Sequence, residues 1–147
     1  MTKIKHQVGI VGNIGKIFQM VSEPKGLDRW WATKADGKAE EGKVVDLYFS
    51  DVVTLSFKVV ELQENVLIHL RCVSGPYPWQ DCDLIFSFKQ DADQVWVSLI
   101  HENEVATDDE FLYFNTKWPC YLLSLRDLIE SGQGRPYPSD VKIHLGD

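Results

Sequence analysis

A chain of 147 residues, 44% hydrophobic and 25% charged, has the composition of one soluble globular domain spanning 1–147. Its formal net charge of −7, without any Lys/Arg cluster, argues against nucleic acid and anionic membrane surfaces as partners. No apolar run approaches the ~20 residues that span a bilayer, which argues against membrane insertion. Residues 1–6 lack the apolar core of a signal peptide, so a cytoplasmic location is expected.

Residues 3–10 carry Ile4, Val8 and Ile10 and read as a first strand at a sheet edge. Asn13 suits the cap of a helix over 14–21, with Ile14, Ile17, Phe18 and Val21 on one face. Pro24 suits the first turn of a second short helix, closed by Trp30-Trp31. Ala35-Asp36-Gly37-Lys38 reads as a turn. Strands are predicted over 43–49, 52–62, 66–72, 82–89 and 94–102, and the short links between most of them favour antiparallel pairing. Alternation places Val53, Leu55, Phe57 and Val59 on one face. The same rule groups Leu84 with Phe86 and Phe88, and Val95 with Val97, Leu99 and His101. From Asp108 the period becomes helical, with a stripe of Phe111, Phe114, Trp118, Tyr121, Leu122, Leu125, Leu128 and Ile129. Asp108 and Asp109 suit the start of this helix. Pro119 predicts a kink or a fresh start near Trp118, and Gly132 a C-cap. The tail 136–147 is expected to be extended.

The order of four pieces carries a family resemblance. They are Trp30-Trp31 after Leu27, His101 at a strand end, Trp118 with its leucine ladder, and the exit Gly132-Gln133-Gly134-Arg135-Pro136-Tyr137-Pro138. Together they resemble the START-like (SRPBCC) superfamily, in the branch similar to the C-terminal domain of the activator of heat-shock protein 90 ATPase. The resemblance covers nearly the whole chain. It implies an α+β helix-grip fold: a curved antiparallel sheet of about six strands wrapped around a long C-terminal helix, with two short helices after the first strand. It also implies a cavity between sheet and helix. The chain leaves no room for the separate N-terminal chaperone-binding domain of full-length eukaryotic activators.

Strand parity and the resemblance nominate Trp30, Phe57, Phe86, Leu99, Phe111, Phe114, Trp118, Tyr121 and Leu122 as cavity lining, with His101 as the polar contact that orients a ligand. Trp30 and Trp31 cannot point the same way on a helix, so one belongs in the core and the other at a cavity mouth. His101 equally reads as a hydrogen-bonded core histidine. The leading reading is a protein that binds a small hydrophobic or amphipathic ligand. One alternative is a protein-interaction or co-chaperone-like module. Another is a small hydrolase or cyclase, which needs a second polar group such as Glu102 or Tyr121 beside His101.

No cofactor or metal is expected. His6, His69, His101 and His144 are scattered, and Cys72, Cys82 and Cys120 lack metal-site spacing and read as reduced thiols. Gly9, Gly12 and Gly15 have G-x-x-G-x-x-G spacing without a following βαβ unit, so they read as punctuation between strand and helix. Glu40-Glu41 and Asp108-Asp109-Glu110 read as a solvated hairpin and a helix start.

Overall fold

The protein is described by a computed structural model covering residues 1–147. Its elements are β1 (Thr2–Ile10), α1 (Ile14–Ser22), α2 (Pro24–Leu27), β2 (Lys34–Gly37), β3 (Val44–Phe49), β4 (Val53–Gln63), β5 (Leu67–Ser74), β6 (Asp83–Asp91), β7 (Gln94–Asn103) and α3 (Leu112–Ser131). One antiparallel sheet holds all seven strands in the order β1-β7-β6-β5-β4-β3-β2, so β1 and β2 are its edges. Register shifts in β4 at Ser56/Phe57 and Val59/Glu61 mark bulges, which bend a sheet. The architecture is α+β with the helix-grip arrangement.

Period-2 alternation explains the buried face. Val95, Val97, Leu99, His101 and Asn103 alternate with partly exposed residues along β7, and Leu84, Phe86 and Phe88 do the same on β6. These side chains meet the stripe of α3, of which Phe114, Trp118, Tyr121, Leu122, Leu125 and Leu128 are buried. Asn13 caps α1 by accepting from the Lys16 N–H at 3.0 Å.

Four expectations need correction. The sheet has seven strands because Ala35 and Gly37, read as a turn, lie in β2 opposite Leu47 and Val45. Nothing in Lys34-Ala35-Asp36-Gly37 alternates; the free edge of β3 makes this segment a strand. Secondly, α3 makes no fresh start near Trp118 and continues through Pro119. The carbonyl that Pro119 deprives of a helical partner belongs to Asn115, on the exposed face. Thirdly, Thr107 caps the helical segment, not Asp108. Thr107 Oγ1 accepts from the Glu110 N–H at 3.3 Å while Glu110 Oε2 accepts from the Thr107 N–H at 2.9 Å, a reciprocal capping box. The Asp108 side chain makes no capping bond; it lies 3.3 Å from the Thr2 hydroxyl, which donates to the Ala106 carbonyl at 2.6 Å.

Finally, the tail after Gly132 is folded onto the body. Gly132 ends α3 in the left-handed conformation, φ 84°. Gly134 then passes so close to the Trp30 segment that a Cβ would sit 2.3 Å from the Arg29 carbonyl oxygen. The Tyr137 N–H donates to the Trp31 carbonyl at 3.0 Å and the Thr33 hydroxyl to the Tyr137 carbonyl at 2.8 Å. The chain then turns back over the first half of α3.

Candidate functional site

A pocket of about 400 Å³ lies where the tail crosses α3. One turn-spaced row of α3 forms one wall: Phe114, Lys117, Trp118 and Tyr121. Phe49 and Leu55 from the β3–β4 hairpin form the opposite wall, and Trp31 and Trp79 close the inner end. Tyr137, His144, Gly146 and Asp147 form the rim. Val52, 76% exposed at the hairpin tip, marks the side open to solvent.

Aromatic contacts fix the inner end. The Trp31 ring packs 5.1 Å from Trp118 and 5.9 Å from Phe57, centroid to centroid. Trp79 packs 4.7 Å from Phe114. Trp79 comes from the loop between β5 and β6, which buried Asn103 pins down. The Asn103 amide donates to the Pro78 carbonyl at 3.0 Å and the Gln80 carbonyl at 3.2 Å. Its oxygen accepts from the Val105 and Ala106 N–H groups at 2.9 and 3.1 Å.

The outer end is polar and charged. Lys117 is only 3% exposed. Its ammonium donates to the Val141 carbonyl at 2.6 Å and to Asp147 Oδ2 at 2.7 Å, and it pairs closely with Asp140 Oδ2. Asp140 also pairs with Lys142 at 2.8 Å and accepts from the Tyr121 hydroxyl at 3.2 Å. Asp147 accepts from the Tyr113 hydroxyl and from the Ile143 N–H at 2.9 Å. Burial pulls the Lys117 pKa down, but the bonds to Asp140 and Asp147 outweigh it and leave the pKa raised. For Asp147, burial pushes up while Lys117 and Tyr113 pull down further, leaving its carboxyl at about 2. Asp140 is likewise lowered, burial being outweighed by Lys117 and Lys142. All three groups are therefore charged at neutral pH.

Among solved structures, the Aha1 dimer from Colwellia psychrerythraea is 30% identical to this chain. It superposes with a TM-score of 0.81 over 91% of this chain and 100% of that one. The chain belongs to the Aha1-type branch of the START-like superfamily. SSP2350 from Staphylococcus saprophyticus, 17% identical, shares the fold at TM-score 0.77 over 92% of this chain and 97% of its own. CalU16 from Micromonospora echinospora, 14% identical, does so at 0.78 over 99% of this chain and 76% of its own. No protein-family model and no curated protein matches the sequence.

In this Aha1-type chain the ten nominated residues fall into two groups. Phe114, Trp118 and Tyr121 line the pocket. Trp30, Phe57, Phe86, Leu99, His101, Phe111 and Leu122 are buried in the core behind it. Trp31, not Trp30, faces the pocket. Trp30 is fully buried and donates its indole N–H to the Met20 carbonyl at 2.8 Å.

His101 is sealed rather than at a cavity wall. Its ring lies 4.7 Å from Phe111, 4.8 Å from Phe114 and 5.1 Å from Trp79, nearly parallel to the last. Nδ1 accepts the Trp118 indole N–H at 2.9 Å, so the neutral ring carries its proton on Nε2, which has no partner. Burial lowers its pKa to about 3. Glu102 points to the other sheet face and pairs with Lys3, and the Tyr121 hydroxyl is committed to Asp140, so neither forms a dyad with His101. His69 bonds Asp83 and Ser98 accepts from the Gln7 amide, both away from the pocket.

Sequence reasoning missed Trp79, Lys117, Asp140 and Asp147. One signal for Lys117 was available. It lies three residues from Phe114 and four from Tyr121, inside the buried stripe, where a lone lysine demands acidic partners. No group of three or more His, Cys, Asp or Glu side chains stands close enough to hold a metal ion. Cys72 and Cys82 are buried free thiols on paired backbone, with the Cys72 N–H donating to the Cys82 carbonyl at 2.9 Å. No helix is long and apolar enough to cross a membrane.

Proposed function

We propose that this protein binds a small hydrophobic or amphipathic ligand, in the cytoplasm, in the pocket between the β3–β4 hairpin and α3. The observation that carries the reading is the aromatic pocket of about 400 Å³ with one charged end. Small-molecule sites span roughly 300–1,000 Å³ and combine apolar walls with a few fixed polar groups. The pocket opens to solvent beside Val52, so water fills it wherever a ligand does not.

Native mass spectrometry of gently purified protein, with denaturing extraction, should reveal a reproducible small molecule. Leu55→Trp, which fills the pocket, should abolish both that mass and the binding of the fluorescent probe 1-anilinonaphthalene-8-sulfonate. Unchanged probe binding by a folded Leu55→Trp variant would sink the reading.

The dimeric state of the Colwellia relative favours one further reading, a protein-interaction module related to the activator of heat-shock protein 90 ATPase. Sedimentation equilibrium across a concentration series tests self-association directly. His101 lends no support to a hydrolase or cyclase, because its ring is sealed and its acceptor nitrogen is committed to Trp118.

A further inference from the structure

The charged end of the pocket holds a carboxylate already, and that carboxylate belongs to the chain itself. Lys117 Nζ, the Tyr113 hydroxyl and the Ile143 N–H converge on the side chain of Asp147. Three donors around one carboxylate, with the lysine and aspartate side chains 4% and 2% exposed, form a built anion cradle.

The two carboxylates on Lys117 are not equivalent. Asp140 is additionally held by Lys142 and Tyr121 and does not line the pocket. Asp147 does line it. The turn leading to Asp147 touches the body through His144, whose ring lies 5.4 Å from Tyr113. Leu145 is fully exposed, and no atom lies within 4 Å of where a Gly146 Cβ would be. Asp147 is thus held chiefly by its polar bonds.

Charge restricts what can replace it. Lys117 and Lys142 are balanced by Asp140 and Asp147. All three ammonium donors of Lys117 are used, so a neutral ligand finds no free donor there. A cationic ligand would meet only acceptors whose cations are already in place. A monoanion can displace Asp147 and leave the buried charge balance unchanged. Apolar burial of its body among Trp31, Phe49, Trp79 and Phe114 then supplies the driving force.

We infer that Lys117 and Tyr113 form the headgroup site of this pocket, taking the carboxylate of an amphipathic acid in exchange for the side chain of Asp147. The inference rests on the pocket being a ligand site. At about 30 Å³ per water, the pocket volume equals roughly 13 waters, which suits a medium-chain or single-ring acid better than a long lipid.

The test is calorimetric titration of the full chain with octanoate, 1-octanol and octylammonium at pH 7.5. Octanoate is expected to bind at least tenfold more tightly than either of the others. Asp147→Asn, which keeps the shape of the latch and removes its charge, should tighten octanoate several-fold and leave octanol unchanged. Tyr113→Phe, a conservative second variant that keeps the ring, should weaken octanoate and spare octanol. Equal binding of octanol and octanoate, or octanoate affinity indifferent to Asp147→Asn, overturns the headgroup exchange while leaving an apolar pocket in place. No binding of any of the three by wild type or either variant overturns both the exchange and the ligand-site reading.

Discussion

His101 on β7 and Lys117 on α3 are both buried against the same helix, yet only Lys117 keeps its charge. His101 faces rings on every side and has one hydrogen bond, accepted from Trp118. Burial therefore drives it neutral, with its pKa down to about 3. Lys117 is desolvated too, but it meets two carboxylates and a carbonyl. The difference shows that burial does not set protonation by itself; the partner set does. It also separates two ends of one molecule. The His101 end is a finished core, whereas the Lys117 end borders an open pocket and is closed by a turn with little packing.

The comparison breaks most visibly at Lys117. Lys117→Met should destabilise the protein by about 3–5 kcal/mol, because it leaves Asp140 and Asp147 facing each other without their shared cation. Adding Asp140→Asn and Asp147→Asn should recover much of the loss. Urea denaturation measures both, and a single-variant cost below about 1 kcal/mol would mean the cluster is solvated rather than buried.

A smaller effect is expected at the histidine end. Trp118→Phe keeps most of the ring but leaves His101 Nδ1 without a donor, at a cost of about 1–3 kcal/mol. If the loss also appears in a His101→Phe background, it comes from packing and not from the hydrogen bond.

The smallest effect per step is pH dependence. An unfolded histidine takes up its proton near pH 6.5, whereas folded His101 does so only near 3. Between these values the unfolded state binds the extra proton, so stability falls as pH falls. The slope from this one group approaches about 1.4 kcal/mol per pH unit. Asp147, lowered to about 2 in the folded state, adds a further loss only as pH drops through about 4 towards 2, and Asp140, also lowered, acts in the same direction. Urea midpoints at pH 7, 6 and 5 should therefore decline in wild type and flatten in His101→Gln. An unchanged decline in that variant would assign the slope to other groups.

Much of this fold could be read from side-chain period. Alternation in β6 and β7 and the 3.6-residue stripe of α3 are local patterns, so the core face of each was legible residue by residue. Where the reading failed, a partner distant in sequence decided. β2 exists because β3 offers an edge ten or so residues later. The helical start falls to Thr107 because Glu110 returns its bond, a reciprocity the Asp108 side chain does not have. Seven of the ten nominated residues, His101 among them, lie behind the pocket, because parity cannot tell a core wall from a pocket wall when both are apolar and inward.

The sequence by itself determined the α+β architecture, the inward faces, the caps at Asn13 and Gly132, and the family, because each depends on spacing along the chain. Only the tertiary structure decided that the gap lies at the Lys117 end, that Trp31 rather than Trp30 faces it, and that the tail closes it. Those outcomes depend on where a tail of turns comes to rest. That position is set by two carboxylates meeting one buried ammonium across more than twenty residues of sequence, a match no local pattern encodes.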